Sequence, residues 1–315
     1  MNICVTGGLG HIGSKLIRNL NNSTIDTIHI VDNLMAQRYC SLFDLPEGKK
    51  YKFHEIDILS DEIEPIIKDS DVLVHLAAVT DAESTFDKKE LVDKINVKGV
   101  EHIVNLCSKY NTKLIFPSTT SVYGTQESLV DEMCTDEELK PQSPYAASKR
   151  HAEKLIQKMC SDKKLHAVVF RVGTIFGYSI GMRFHTAVNK FLYQAVNGKP
   201  ISVWKTALHQ KRPYCDLDDC IAAVNFFITN NIFDGEIYNI VTKNYTVNDI
   251  LEAIKAHVPE IKIEFVDSKI MNQLSYNVDN SKSKKIGLAY QGNLKASLKQ
   301  CIKHLQNIND ITIKL

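Results

Sequence analysis

The run Thr6-Gly7-Gly8-Leu9-Gly10-His11-Ile12-Gly13 stands between a short apolar stretch, Ile3–Thr6, and an amphipathic segment, Ile12–Leu20. Glycines at 7, 10 and 13 let a backbone turn tightly, approach a pyrophosphate and pack a helix against a strand. The diphosphate then lies at the positive end of the helix dipole. Asp32 closes the next apolar run, 19 residues after Gly13. A carboxylate there accepts hydrogen bonds from both adenosine ribose hydroxyls and repels a 2′-phosphate, which selects NAD over NADP. The competing reading is a structural glycine turn with Asp32 as a cap.

The rest of the first half follows the same rhythm. Apolar runs at Ile25–Val31, Tyr51–Ile56, Val72–Ala78, Leu114–Pro117 and Ala167–Arg171 alternate with helical patterns, clearest at Leu91–Tyr110 and Tyr145–Met159. Short apolar runs alternating with helices predict a parallel sheet buried on both faces. The expected fold class is therefore α/β, a Rossmann-type doubly wound parallel sheet with ligands at the carboxyl ends of its strands. Beyond residue 175 helices are expected at 184–197, 217–229, 247–257 and 293–306, with short strands near 201–204, 236–240 and 261–265. These read as a smaller C-terminal α/β substrate-binding lobe. The division is residues 1–175 for the dinucleotide domain and 176–315 mainly for the lobe, the chain being partly interleaved. No linker or internal repeat separates the halves, and 307–315 read as a frayed tail.

Composition excludes several classes. Among 315 residues 44% are hydrophobic and 24% charged, with a formal net charge of +1. No global field draws such a chain to nucleic acid or to an anionic membrane. The Lys282, Lys284 and Lys285 cluster reads as a solvated face. No stretch reaches the ~18 consecutive apolar residues of a membrane span. The first apolar run breaks into glycines too soon for a signal peptide. Eight cysteines lie scattered without a Cys-x-x-Cys pair. That pattern predicts reduced thiols, no metal site and a cytoplasmic location.

Tyr145 and Lys149 lie four apart at the start of a predicted helix and share one face. A free tyrosine has a pKa of about 10 and is a poor base near neutrality. An adjacent ammonium and a positive nicotinamide ring favour the phenolate, which can then take a proton from a substrate hydroxyl. The run Ser118-Thr119-Thr120-Ser121 leaves the fifth strand with hydroxyls suited to relaying that proton. Asp57, after the third strand, is placed to bond the adenine amine. Small residues in His75-Leu76-Ala77-Ala78 let the backbone pass close to the cofactor, His75 itself reading as a packed strand histidine.

With these motifs on the page, the chain resembles the extended short-chain dehydrogenase/reductase superfamily, in particular nucleotide-sugar epimerases of the UDP-glucose 4-epimerase type. The resemblance covers nearly the whole chain. Its pieces are 6–13, Val-Asp-Asn-Leu at 31–34, 75–78, Asn-Val-Lys-Gly at 96–99, Ser-Val-Tyr-Gly at 121–124, Pro-Gln-Ser-Pro-Tyr-Ala-Ala-Ser-Lys at 141–149, and 171–177. It implies Thr119, Tyr145 and Lys149 as catalytic residues. It implies NAD held by Gly7, Gly10, His11, Ile12 and Gly13, and by Asp32, Asn33, Asp57 and Ile58. Leu76, Ala77, Ala78, Asn96 and Val172, with Tyr145 and Lys149, complete that set, Asn96 matching a position that orients the lysine helix. For the substrate, a nucleotide diphosphate sugar with UDP or GDP as carrier, it implies Thr80, Thr119, Thr174, Arg183, Asn189 and Arg212. Arg212 matches an arginine that grips the diphosphate. Thr174 replaces the usual Asn. Arg183, His185 and Asn189 line the pocket or cap the following helix, and a late substrate-binding Arg has no counterpart near 269–276. Family members pair as homodimers through two helices, here about 87–110 and 145–160.

The shared first step takes the sugar C4 hydroxyl proton to Tyr145 and its C4 hydride to NAD. A 4,6-dehydratase of this family adds an Asp-Glu pair directly after the catalytic Thr, where this chain has Thr120 and Ser121, and the glutamate of a decarboxylase is also missing. That leaves 4-epimerisation as the favoured reading and net C4 oxidation or reduction as the alternative. From another class, a non-catalytic nucleotide-binding regulator is the third.

Overall fold

The structure is a computed structural model describing residues 1–80, 84–124, 129–267 and 276–305. Seven strands build one parallel sheet. They are β1 (Asn2–Thr6), β2 (Thr27–Asp32), β3 (Lys50–Glu55), β4 (Val72–His75), β5 (Lys113–Thr119), β6 (Ala167–Val172) and β7 (Ile237–Ile240). Their spatial order is β7-β6-β5-β4-β1-β2-β3. The order reverses beside β1, where β4 runs along its other side with Thr6 opposite His75. That reversal opens the crevice in which doubly wound sheets bind ligands.

Both faces of the sheet are covered. The principal helices are α1 (His11–Asn19), α2 (Gly99–Tyr110), α3 (Pro144–Ser161), α4 (Ala187–Val196), α5 (Leu217–Thr229), α6 (Val247–Lys255) and α7 (Leu294–Leu305). On one face Ile3, Val5, Ile28 and Phe170 pack with Leu16 and Ile17 of α1 and Ile221 and Phe227 of α5. On the other, Cys4, Leu73, Leu114 and Phe116 pack with Ile103 and Val104 of α2 and Ala152 and Ile156 of α3. The alternation Ile3/Cys4/Val5 between the two cores is the period-2 consequence of an extended chain buried on both sides.

The smaller lobe gathers α4, α6 and α7 around Phe176, Leu192, Tyr214, Ile254 and Leu298. It contains a three-stranded sheet of Thr174–Phe176, Lys211–Asp216 and Lys243–Thr246, none of which the apolar pattern predicts. The central strand carries Pro213 and begins Lys-Arg, so it lacks a continuous apolar run. Two elements of the second half, α5 and β7, belong to the main sheet. The stretch predicted as a strand over 72–78 ends at His75.

The helix expected over 91–110 is interrupted by a π-helical turn at Asp93–Lys98. Asn96 at its centre receives the Val79 N–H and donates to the Val79 carbonyl, each at 2.8 Å, and also donates to Ser148 Oγ at 3.2 Å. Asn96 thereby ties the π-helical turn to the segment after β4 and to α3.

The apolar sides of α2 and α3 are turned inward. Their outward residues include Asn105, Lys109, His151, Lys154 and Gln157, with His151 against Glu101 at 3.2 Å. All eight cysteines are free thiols. Among the described residues no helix is long and apolar enough to cross a membrane, and no group of three or more His, Cys, Asp or Glu side chains is placed to hold a metal. The tail over 307–315 lies outside the described residues.

Candidate active site

The glycine loop forms a cradle that only this residue type permits. Gly7 has φ +65°, and a Cβ there would stand 2.6 Å from the Ala77 nitrogen. A Cβ on Gly13 would stand 2.4 Å from the Gly7 carbonyl oxygen. Gly10 precedes α1 and offers no side-chain cap, so the N–H groups of the first turn keep their capacity for an anionic ligand. A cavity of about 170 Å³ follows the loop, with Asp32, Asn33 and Ile58 at one end and Leu76, Ala77 and Ala78 along one side. These features fit the adenosine diphosphate half of NAD: a bare helix N-terminus for the diphosphate and a carboxylate at the end of β2 for the ribose. Asp32 is held by the N–H groups of Leu9 (3.2 Å) and Leu34 (3.0 Å).

Asp57 differs from its expected place against the adenine. Its carboxylate accepts from Asn33 Nδ2 at 3.0 Å and from the Leu59 N–H at 2.9 Å, and it does not line the cavity. Its neighbours Asn33 and Ile58 do. Asn96 also stays out, because its amide is committed to Val79 and Ser148, whereas the adjacent Ile95 reaches the wall. Arg38 and Met35, which no motif marks, come from the loop after β2 to line the same cavity.

A second cavity of about 320 Å³ shares His11, Ile12, Thr80 and Arg183 with the first. Thr119, Tyr145, Lys149, Val172 and Thr174 all line it, so the three catalytic candidates meet on one wall. The hydroxyl of Thr119 accepts from the Ser121 N–H at 3.1 Å, capping the turn that ends β5. Helix α3 starts on Ser143, whose hydroxyl accepts from the Ala146 N–H, with Pro144 in the first turn. That start brings Tyr145 to the mouth and Lys149 one turn deeper.

Burial raises the pKa of the Tyr145 phenol, while Arg183 and a hydrogen bond with Thr119 act in the opposite direction. Arg183, from the other lobe, is thus a cation that favours the phenolate in addition to Lys149, which lines the same cavity. Lys149 donates from Nζ to the Pro117 carbonyl at 2.7 Å and lies 4.4 Å from the centre of the Phe116 ring. Burial brings its pKa down to about 7, against the pull of Glu153. His75 also lines this cavity, with Nδ1 on the Thr6 hydroxyl at 2.8 Å, and burial lowers its pKa to about 3. It stays neutral.

The lobe closes the site through the loop after Thr174–Phe176. His11 Nε2 meets the Gly177 carbonyl at 2.8 Å, so Nε2 carries the proton. The Ser179 hydroxyl donates to the His11 carbonyl at 2.8 Å, and the Gly181 N–H to Ser14 Oγ at 3.0 Å. The same loop delivers Arg183, which hydrogen-bonds the Thr80 hydroxyl across the two cavities, and His185. Asn189 lines neither cavity. Buried in α4, it donates to the Arg183 carbonyl at 3.2 Å and accepts from the Gly177 N–H at 3.4 Å, and so fixes the loop that carries Arg183. Arg212 is not brought to either cavity. Its guanidinium stacks 5.3 Å from the centre of the Tyr276 ring. The expected site of a late arginine, apart from Tyr276, lies outside the described residues.

A family model described as the NAD dependent epimerase/dehydratase family matches residues 3–241. The low-salt glycan biosynthesis protein Agl12 of Haloferax volcanii is 27% identical over 314 residues, covering 96% of this chain and 98% of the relative. The dTDP-glucose 4,6-dehydratase of Salmonella typhimurium is 25% identical over 349 residues, covering 99% and 95%. Among solved structures, the UDP-glucuronic acid 4-epimerase of Bacillus cereus in complex with UDP-glucuronic acid and NAD superposes with a TM-score of 0.86. It is 23% identical, covering 98% of this chain and all of that one. The glycine cradle, the Thr119–Tyr145–Lys149 wall and the match over residues 3–241 together establish that the chain belongs to the NAD-dependent epimerase/dehydratase family, enzymes of the extended short-chain dehydrogenase type whose cofactor is NAD.

Proposed function

We propose that the protein is a nucleotide-sugar 4-epimerase. The observation that carries this reading is the wall of the larger cavity, where Thr119, Tyr145 and Lys149 face Thr174, Arg183 and His185 and, among the described residues, no carboxylate takes part. Bound NAD supplies the acceptor that takes up and returns the hydride. Tyr145 removes the C4 hydroxyl proton, Thr119 holds that oxygen, and Lys149 with Arg183 favours the phenolate. Arg183, on the seam of the two cavities, is suited to the substrate diphosphate as a planar bidentate donor.

Dehydration needs an acid/base pair beside the catalytic threonine. Thr120 there is buried with its hydroxyl on the Val172 carbonyl at 3.4 Å, and Ser121 is a hydroxyl without acid/base capacity near neutrality. The loop strapped over the cradle favours a cofactor retained between turnovers, which suits epimerisation better than net C4 oxidation or reduction. The eight free thiols suit a reducing, cytoplasmic setting. A homodimer through α2 and α3 would join polar faces and weaken with salt, which sedimentation at low and high ionic strength tests.

The test is incubation of the NAD-loaded protein with UDP-, GDP- and dTDP-sugars, UDP-glucuronic acid included, followed at 340 nm and by NMR. A C4 epimer without net absorbance change supports the proposal. Stoichiometric absorbance with a keto sugar makes the protein a C4 oxidoreductase. Silence across the panel, together with unchanged biological activity of Tyr145→Phe, makes it a nucleotide-binding regulator.

A further inference from the structure

Glu153 belongs to no motif, yet it is fully buried at the junction of three elements. Tyr145, Lys149 and Glu153 follow one another at four-residue intervals along α3 and therefore share a face. The Glu153 carboxylate accepts from Ser118 Oγ at 2.6 Å, from Arg171 Nε and Nη2 at 3.0 and 2.9 Å, and from Arg150 Nη1 at 2.8 Å. Ser118 is the residue between Pro117, whose carbonyl receives Lys149, and the catalytic Thr119. One carboxylate thus joins the end of β5, the end of β6 and the helix bearing the base.

We propose, resting on the reaction reading above, that Glu153 is a positioning residue for Thr119, Tyr145 and Lys149. It clamps the strand that carries Thr119 to the helix that carries the other two, and it serves as the buried counter-charge of Lys149.

The charges around it support this role. A carboxylate with no exposure is tolerated only with full compensation, and two guanidinium groups and a hydroxyl provide it. Arg150 is balanced in turn by Asp136, which also pairs with Lys154 at 2.9 Å. Arg171 covers the Tyr123 ring at 4.8 Å. Lys149 faces the Phe116 ring, the Pro117 carbonyl and neutral His75. Glu153 is the group that opposes the loss of its proton. A tie between α3 and β6 alone would need Arg171; the bond to Ser118 and the one-turn spacing from Lys149 add what the reaction uses.

The experiment titrates Lys149 in the NAD-bound protein by NMR of ¹³C-labelled lysine, assigned by loss of the resonance in Lys149→Met. In Glu153→Gln the midpoint should fall by about one pH unit, the usual effect of removing an opposite charge nearby. The alkaline limb of kcat should move the same way for any sugar turned over, whereas a merely structural role would lower stability and leave the midpoint in place. An unchanged midpoint overturns the counter-charge role. A shifted midpoint when the wild-type protein itself turns over none of the sugars leaves this inference standing and removes the epimerase reading instead. Should Glu153→Gln not fold, Ser118→Ala tests the clamp from the strand side. Hydrogen exchange of the amides over 118–121 should then quicken about ten-fold, and unchanged exchange overturns the clamp.

Discussion

The loop strapped over the glycine cradle makes Gly181 a sensitive position. A Cβ there would stand 2.3 Å from the Leu9 carbonyl oxygen, 2.7 Å from that of Gly10 and 2.8 Å from Ser14 Oγ. Two of these are backbone atoms of the cradle, so Gly181→Ala forces either the loop or the cradle to move. If the loop lifts, the bonds from Gly181 N–H to Ser14 and from Ser179 to the His11 carbonyl are lost. At about 1 kcal/mol each, the seated arrangement is disfavoured by roughly 2 kcal/mol. Overpacking of this kind typically costs about 1–3 kcal/mol, so the two estimates agree. Because the seated loop supplies Arg183 to the cavity wall, NAD must reseat it on binding, and its Kd should rise about 30-fold. Ser14→Ala removes the acceptor of the Gly181 N–H, together with a long 3.4 Å bond to the His11 carbonyl, and should weaken NAD about five-fold. The assay is calorimetric titration of NAD into cofactor-stripped protein. A Kd for Gly181→Ala within about two-fold of wild type would show that the strap does not shape the cofactor site and would refute the reasoning.

Three further outcomes follow from the site. Tyr145→Phe should lose about 10²–10⁴-fold in kcat, the range for a positioned acid/base group, while NAD affinity measured by the same titration falls by no more than about ten-fold, the loss of one hydrogen bond. Asp32→Asn loses the carboxylate that faces the ribose but leaves Arg38 on the wall. Its NAD Kd should rise about 10-fold, the loss of one charge-assisted bond, and its NADP Kd should fall, so an unaltered ratio of the two contradicts the assigned role. Lys149, held near pKa 7 in the fold against 10.5 when unfolded, binds its proton more weakly in the native state. Between those values the unfolded chain carries more protons, so this group's contribution to stability rises with pH and is constant below about 7. Lys149→Met should therefore abolish turnover yet raise Tm at pH 7, with the gain shrinking toward pH 10, and a lower Tm at pH 7 would contradict it.

What could be read from the sequence was what a local backbone conformation dictates. The glycine cradle, Asp32 at the end of β2 and the Tyr145/Lys149 face depend on neighbours within one turn or one strand, and single residue types identify them. The π-helical turn, by contrast, carries Asn96, which is bonded to Val79 17 residues away, a partnership no periodicity reveals. Asp57 shows the same limit: the short acid after β3, expected against the adenine, is taken up by Asn33, leaving Asn33 and Ile58 to form the wall. Contacts between the lobes have no local signature at all. His11 meets Gly177 across 166 residues and Ser14 meets Gly181 across 167. Arg183 follows in the same loop, so one cation that lowers the pKa of the Tyr145 phenol comes from a part of the chain outside the Tyr145/Lys149 motif. On the proposed reading, Tyr145 and its charge environment are therefore separable, and substitutions in 177–185 should alter turnover while every motif residue stays intact.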